Sequence, residues 1–175
     1  MIVNAEITDQ PKSGQYPEKI YDFQSAWNSQ AWTFVRFTKE DCSEWCGHFR
    51  GAPRHVAISK KSNTILVLTS HYLFQLGSKA GELINLENHS IYQNLTVDPE
   101  GNFVLADYFE IEIIRDSIKY KEKVASPIAM DMIQFEKWIN EKLEFTCDAF
   151  LNWHRHLTMT YNSQTGKIEI QEESY

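Results

Sequence analysis

The chain has 175 residues, of which 42% are hydrophobic and 13% aromatic, and it carries a formal net charge of −7 with a sequence pI of about 5.4. A chain of this length is typical of one domain and has enough apolar side chains to build a core. The acidic balance argues against nucleic acid or an anionic membrane as a partner, because both are bound through an excess of Lys and Arg. We therefore expect a single globular domain over residues 1–175 with neither kind of partner.

The features that report on cellular compartment point to the cytoplasm. The amino terminus shows no basic segment followed by an apolar stretch, which is the pattern of a signal peptide. No run of the sequence approaches the ~20 apolar residues that cross a bilayer. Three cysteines, an odd number, do not suit a disulfide framework and fit a reducing compartment. The prediction is a cytoplasmic protein.

The first third of the chain predicts strands separated by irregular segments. Residues 2–7 predict a first strand, and residues 10–17, which contain two prolines and a glycine, predict a loop. Residues 31–38 alternate with a period of two, which predicts a strand with at least one buried face. Residues 41–53 are rich in Cys, Gly and charged side chains and predict an irregular connection that contains Trp45.

Two segments in the middle of the chain share one pattern of strand, polar turn, strand, short break and strand. The first runs over residues 56–76 and the second over residues 95–114, and the equivalent positions Ile58 and Val97 lie 39 residues apart. The flanking runs are rich in the β-branched and aromatic residues that strands favour. Residues 81–86, between the two copies, predict a fourth strand.

A four-stranded unit that recurs about every 40 residues resembles the blades of β-propeller proteins of the WD-repeat or NHL kind. The resemblance covers residues 56–114, and the Trp-Asp dipeptide of WD repeats is absent from both copies. A closed propeller needs at least about four blades, and we expect 175 residues to be too few for four such units. The resemblance implies two blade-like units in a smaller mixed fold, and a plain antiparallel meander stays open as the alternative.

The sequence after the charged segment 119–123 predicts a helix. Asp131 followed by Gln134 resembles a capping box, in which an acidic N-cap precedes a glutamine by three residues. Apolar residues then recur at helical spacing, namely Met132, Phe135, Ile139 and Leu143. We therefore predict one principal helix over about residues 131–143.

The carboxy-terminal residues predict a β-hairpin. Residues 157–161 and 167–170 have strand patterns, and the polar segment 162–166, which ends in glycine, predicts the turn between them. The expected fold class is α+β: a mainly antiparallel β-sheet, the principal helix and the terminal hairpin.

Four side chains of the zinc-ligating types fall within 14 residues, namely Cys42, Cys46, His48 and His55. Zinc takes sulfur and nitrogen donors in a tetrahedron, but this spacing matches no common zinc module. Cysteine is frequently a small buried apolar residue. We therefore predict no bound metal, with these four residues as weak candidates.

The remaining nucleophiles and histidines have no recognisable catalytic context. His154 and His156 would share one face of a strand, where imidazoles serve as metal ligands or as acid and base. No carboxylate accompanies them in a characteristic arrangement, and Cys147 lacks the local signature of a cysteine nucleophile. No catalytic residue and no cofactor are predicted.

The best-supported binding surface combines an aromatic side chain with acids. Asp107, Tyr108, Glu110 and Glu112 fall together, and tyrosine beside carboxylates suits a partner rich in Arg or Lys. Trp45, in its predicted loop, requires burial or a partner. These five residues are the predicted partner-binding residues.

Size, charge and this surface together predict a non-catalytic protein-binding protein. The concrete form is a bacterial immunity protein that neutralises a cognate toxin, because an acidic inhibitor is steered electrostatically onto a basic toxin domain. Two alternatives stay open. The first is a small hydrolase or nuclease that uses a histidine and a carboxylate with or without a metal, and the second is a scaffold module of a larger complex.

Overall fold

A computed structural model describes residues 1–22, 30–88 and 90–174, and these residues form β-strands joined by turns and loops. No helix occurs among them, and hence none that is long and apolar enough to cross a membrane. The chain divides into an amino-terminal unit, Met1–Ile91, and a carboxy-terminal unit, Tyr92–Tyr175. The described residues of each unit form two four-stranded sheets.

The amino-terminal unit packs its two sheets around an aromatic core. The strands of the first sheet are β1 (Ile2–Thr8), β2 (Glu18–Tyr21), β3 (Trp32–Lys39) and β4 (Glu44–Arg50). Their order is β1-β3-β4-β2, with β2 parallel to β4 and the other neighbours antiparallel. The second sheet is an antiparallel meander of β5 (Pro53–Ser59), β6 (Thr64–Thr69), β7 (Tyr72–Gly77) and β8 (Leu83–Asn88). Phe49 joins the sheets, because its ring stacks on Tyr21 at 4.5 Å and meets Phe74 at 5.0 Å.

The carboxy-terminal unit consists of two antiparallel meanders. The first contains β9 (Asn94–Val97), β10 (Phe103–Ala106), β11 (Ile111–Ile114) and β12 (Glu122–Lys123), and the second contains β13 (Met130–Ile139), β14 (Lys142–Ala149), β15 (Asn152–Asn162) and β16 (Lys167–Ser174). One apolar core includes side chains from both sheets, among them Val104, Ile113 and Phe145. Asn94 ties the sheets together, since its side chain donates to the Ile133 carbonyl at 2.9 Å and accepts from the Phe135 amide at 3.1 Å.

The α+β prediction is wrong, because the segment predicted as a helix forms β13 and the start of β14. Bulges interrupt the pairing of β13 between Asp131 and Gln134 and between Phe135 and Lys137, and Met132 has a φ of +56°. Each bulge inserts an extra residue and shifts the alternation of faces. The core-facing positions of β13 are therefore separated by three, two and three residues, namely Met130, Ile133, Phe135 and Trp138. Of the residues whose helical spacing predicts the helix, Met132 and Ile139 are exposed, and Leu143 belongs to β14.

Most other strand predictions are confirmed. The two similar segments form β5–β7 and β9–β11, residues 81–86 contribute to β8, and the terminal hairpin is β15–β16. The irregular connection predicted over residues 41–53 is wrong, because β4 runs through it. The expectation that the chain is too short for four four-stranded units is also wrong, since its described residues form four such sheets.

Candidate functional site

The turn between β10 and β11 places two aromatic side chains in solvent. The Asp107 carboxylate accepts hydrogen bonds from the amides of Phe109 and Glu110, each at 2.7 Å, and so fixes the backbone of the turn. Such side-chain bonds to nearby amides are the usual way in which aspartate stabilises a turn. Tyr108 is 41% exposed and Phe109 is 47% exposed. The turn therefore presents aromatic rings on a fixed backbone.

A second turn, between β14 and β15, adds another exposed ring. Phe150 is 47% exposed, and its ring meets that of Phe109 edge to face at 6.0 Å, while Phe109 contacts Tyr108 at 6.3 Å. The Phe150 amide donates to the Ala129 carbonyl at 3.0 Å, which anchors this turn as well. We call Asp107, Tyr108, Phe109, Glu110 and Phe150 the aromatic–acidic surface.

A groove runs beside the aromatic–acidic surface. It has a volume of about 500 Å³ and is lined by Phe109, Glu110, Phe150 and the segment 123–130. Its lining is largely apolar, with Ile128 and Met130 among the side chains. A groove of this size accommodates one or two large side chains of a binding partner.

Ion pairs and hydrogen bonds surround this surface. Glu110 pairs with the Lys123 ammonium at 2.5 Å, and this hydrogen bond raises the pKa of Lys123 above its ordinary value. Glu112, half-buried on β11, accepts a hydrogen bond from the Tyr92 hydroxyl. The Lys121 ammonium lies 5.0 Å from the centre of the Tyr92 ring. Glu112 is thus bonded to Tyr92, which precedes β9, whereas Glu110 lines the groove.

The net charge of the chain is concentrated in the unit that bears this surface. Residues 1–91 contain 9 acidic and 9 basic side chains, whereas residues 92–175 contain 15 acidic and 8 basic ones. The formal charge of −7 therefore belongs entirely to the carboxy-terminal unit. A field of one sign over part of a protein attracts partners of the opposite sign.

The structure brings three of the five predicted partner-binding residues together at one turn: Asp107, Tyr108 and Glu110. Trp45 belongs to the amino-terminal unit, where it lies on β4 rather than in a loop, is only 8% exposed and stacks on Phe37 at 4.3 Å. Gly81 packs against the same indole, because a Cβ atom added there would lie 2.6 Å from the ring. Trp45 is a core residue of its unit.

Two residues of the aromatic–acidic surface escape sequence reasoning. In the sequence Phe109 alternates with Ile111 and Ile113, a pattern that predicts an inward-facing strand residue, but β11 begins only at Ile111. Phe150 lies in a two-residue turn with Leu151, whose φ is +62°. The pairing of Ala149 with Asn152 defines this turn, and that pairing is seen in the structure but not in the sequence.

The weak zinc candidates are dispersed. Cys42 is exposed in a turn, whereas Cys46 is buried on β4, and burial raises the pKa of its thiol to about 11. The His48 ring meets Phe34 edge to face at 4.9 Å, and its Nε2 atom lies 3.8 Å from a carboxylate oxygen of Glu18. Among residues 1–22, 30–88 and 90–174, no group of three or more metal-ligating side chains is found.

A histidine–carboxylate pair was missed in the sequence. His156 Nδ1 lies 2.6 Å from Asp148 Oδ1, although the sequence indicates no carboxylate partner for the two histidines. The pair lines a shallow depression of about 240 Å³ together with Glu172 and Glu173. Cys147 lies beside it, but burial raises the pKa of its thiol to about 11, so the thiolate form is disfavoured near neutral pH.

Comparison with known proteins identifies no family. No family model and no curated protein matches the chain. Among solved structures, it is similar to KlHsv2 with loop 6CD replaced by a Gly-Ser linker, with a TM-score of 0.42 and 10% identity over 89% of this chain and 58% of that chain. It is also similar to a chain from a complex of an S. cerevisiae dbp5 variant with nup159, gle1, ip6 and adp, with a TM-score of 0.38 and 8% identity over 71% of this chain and 44% of that chain.

The chain thus spans about half the length of these two proteins. Because both TM-scores lie below 0.5, neither similarity assigns a fold or a function to this chain.

Proposed function

We propose that this protein binds a basic protein partner through the aromatic–acidic surface and performs no catalysis itself. The concrete form is a bacterial immunity protein in the cytoplasm that neutralises a cognate toxin by covering a basic surface of the toxin domain. The observation that carries the proposal is the cluster of exposed aromatic rings on the unit that holds the whole net charge of −7.

The aromatic rings supply the affinity in this proposal. Large aromatic side chains dominate the binding energy of protein interfaces when a partner covers them and excludes water. Phe109 and Phe150 are each 47% exposed, so each has about half of its surface left to bury. Because the amide of each phenylalanine is held by a hydrogen bond, from Phe109 to the Asp107 carboxylate and from Phe150 to the Ala129 carbonyl, binding costs little ordering of these rings.

The acidic side chains supply the rate of association and the choice of partner. Complementary charge accelerates the encounter of two proteins and disfavours partners of like sign. A second copy of this chain would present the same acidic unit, so self-association through this surface is opposed by repulsion. A basic domain is the partner that the charge favours.

An affinity experiment with matched variants tests the proposal. The tagged protein, the double variant Phe109→Ala/Phe150→Ala and the control Ile84→Ala are incubated with lysate of the source cells. Ile84 is also 47% exposed but lies in the neutral amino-terminal unit. We expect wild type and Ile84→Ala to retain one basic protein in equimolar amount at moderate salt, and the double variant to lose it.

The identity of the captured protein then tests the toxin hypothesis. An equimolar amount of the pure wild-type protein should abolish the captured protein's toxic activity, and the double variant should not. Retention of the partner by the double variant would place binding elsewhere on the chain, and capture of an acidic protein would contradict the electrostatic argument.

One observation favours a hydrolase as the second candidate. The His156–Asp148 pair has the hydrogen bond that orients an imidazole for acid–base chemistry, and it lies at an exposed depression. Hydrolysis of ester and phosphodiester substrates, measured with and without zinc, tests this candidate. Activity that disappears in His156→Ala would support it over the binding proposal.

A further inference from the structure

Trp153, at the start of β15, is the most exposed tryptophan among the described residues, with 66% of its surface in solvent. Its indole Nε1–H donates to Asp131 Oδ2 at 3.3 Å, and Asp131 Oδ1 accepts from the Met132 amide at 2.8 Å. In the part of the chain that the structure describes, no side-chain cation stacks on this indole. An indole face fixed beside a carboxylate is therefore left open to solvent.

In the amino-terminal unit, a tryptophan and an aspartate each contact the same arginine. The Arg50 guanidinium lies 3.9 Å from the centre of the Trp32 ring. Its Nε and Nη2 atoms both donate to the Asp22 carboxylate at 2.9 Å. This cluster illustrates the chemistry that completes an indole and a carboxylate: a planar cation that stacks on the ring and donates two hydrogen bonds in its own plane.

We propose that Trp153 and Asp131 form a receptor for an arginine side chain of the basic partner. The receptor deepens the proposed function, because it rests on a partner of positive charge. A carboxylate has about four lone-pair positions, and the indole and the Met132 amide use one on each oxygen of Asp131. One position remains on each oxygen, which is the requirement of a two-pronged guanidinium.

The receptor continues the aromatic–acidic surface. The Tyr108 carbonyl accepts a hydrogen bond from the Ile133 amide at 3.2 Å, and Met132, the preceding residue, is 55% exposed. Asp131 is the chain neighbour of Met132, and Trp153 is hydrogen-bonded to Asp131. A basic partner that covers Phe109 and Phe150 therefore has an anchoring point for arginine beside it.

Arginine is favoured over lysine for a physical reason. Its guanidinium is planar and weakly hydrated, so it stacks on an aromatic face and still reaches a carboxylate with two donors. An ammonium is a compact, strongly hydrated charge and forfeits either the stacking or one hydrogen bond. Citrulline has nearly the shape of arginine without its charge.

Nuclear magnetic resonance of the full chain tests the receptor without knowledge of the partner. The probes are acetylated Gly-Arg-Gly amide and the corresponding lysine and citrulline peptides, and the signal is the indole Nε1–H resonance of Trp153, assigned by its loss in Trp153→Phe. We expect saturable shifts with the arginine peptide, at least threefold weaker binding of the lysine peptide, and no saturable shift with citrulline.

Two variants separate the receptor from general electrostatics. Asp131→Asn removes one carboxylate of the receptor and should weaken binding of the arginine peptide at least fivefold. Glu136→Gln removes one charge from an exposed position on the same strand and should change it less than twofold. Equal binding of arginine and citrulline peptides, or wild-type binding by Asp131→Asn, would overturn the receptor.

The outcomes also distinguish the receptor from the proposed function. Binding of the arginine peptide without a captured basic protein would support the receptor and count against the immunity role. Capture of a basic protein that Trp153→Phe and Asp131→Asn retain unchanged would support the proposed function and refute the receptor. If Trp153→Phe fails to fold, assignment by perturbation in Asp131→Asn keeps the titration interpretable.

Discussion

Phe109→Ala should weaken binding of the basic partner about three- to tenfold while the turn that carries it stays intact. Complete burial of a phenylalanine contributes about 1.5–3 kcal/mol. Phe109 is 47% exposed, so a partner has about half of that surface to cover, worth roughly 0.7–1.4 kcal/mol. Asp107 bonds the backbone amide of residue 109, and alanine keeps that hydrogen bond.

Titration calorimetry with the purified partner measures this effect directly. The dissociation constant is compared for wild type, Phe109→Ala and Ile84→Ala, and thermal unfolding of each protein confirms that the fold persists. Ile84→Ala should bind as wild type does, because its equally exposed side chain lies in the neutral unit. A dissociation constant for Phe109→Ala within twofold of wild type, with unchanged unfolding, would refute the assignment of this surface. Equal weakening by Ile84→Ala would show that the effect is not local.

Three further predictions concern the fold itself. Phe145→Ala removes a fully buried ring from the core and should lower the free energy of unfolding by about 3–5 kcal/mol, measured by urea denaturation. Asn140→Gly should leave the stability unchanged or raise it, because Asn140 has a φ of +52° in the β13–β14 turn, whereas the same change inside a helix would cost roughly 0.3 kcal/mol. Cys46 and Cys147 should resist thiol reagents in the native protein, while the exposed Cys42 reacts. The free energy of unfolding should also fall as pH rises from about 9 to about 11. The reason is that the two buried thiols have pKa values of about 11 in the folded protein, and unfolding returns these pKa values to 9.0.

The local alternation of the sequence is sufficient to predict the hairpins. In β3, Thr33, Val35 and Phe37 are buried and the residues between them are half-buried, as the period of two indicates. The two similar segments of residues 56–114 were found for the same reason, since strand and turn chemistry follow each other regularly there. Local patterns of this kind require no knowledge of the tertiary structure.

The false helix shows where local patterns mislead. Helical spacing places Met132 and Ile139 on one apolar face, yet they are 55% and 46% exposed. The bulges of β13 depend on its pairing with β14, which no local signal encodes. The alternation of β14 was available in the sequence: Leu143, Phe145, Cys147 and Ala149 are all buried. The helix predicted over about residues 131–143 includes Leu143 and therefore hides the start of that alternation.

The acidic residues of the aromatic–acidic surface can be predicted from the sequence alone. The exposure of Phe109, by contrast, depends on where strand β11 begins. β11 begins at Ile111, because Asp107 captures the amides of residues 109 and 110 and holds them in the turn. Phe109 thereby belongs to the turn and points into solvent instead of following the alternation of Ile111 and Ile113. The same hydrogen bonds keep the ring in place before a partner arrives, so its exposure is not offset by a large ordering cost on binding. The aspartate that was expected to contact the partner thus acts by positioning the aromatic side chain beside it.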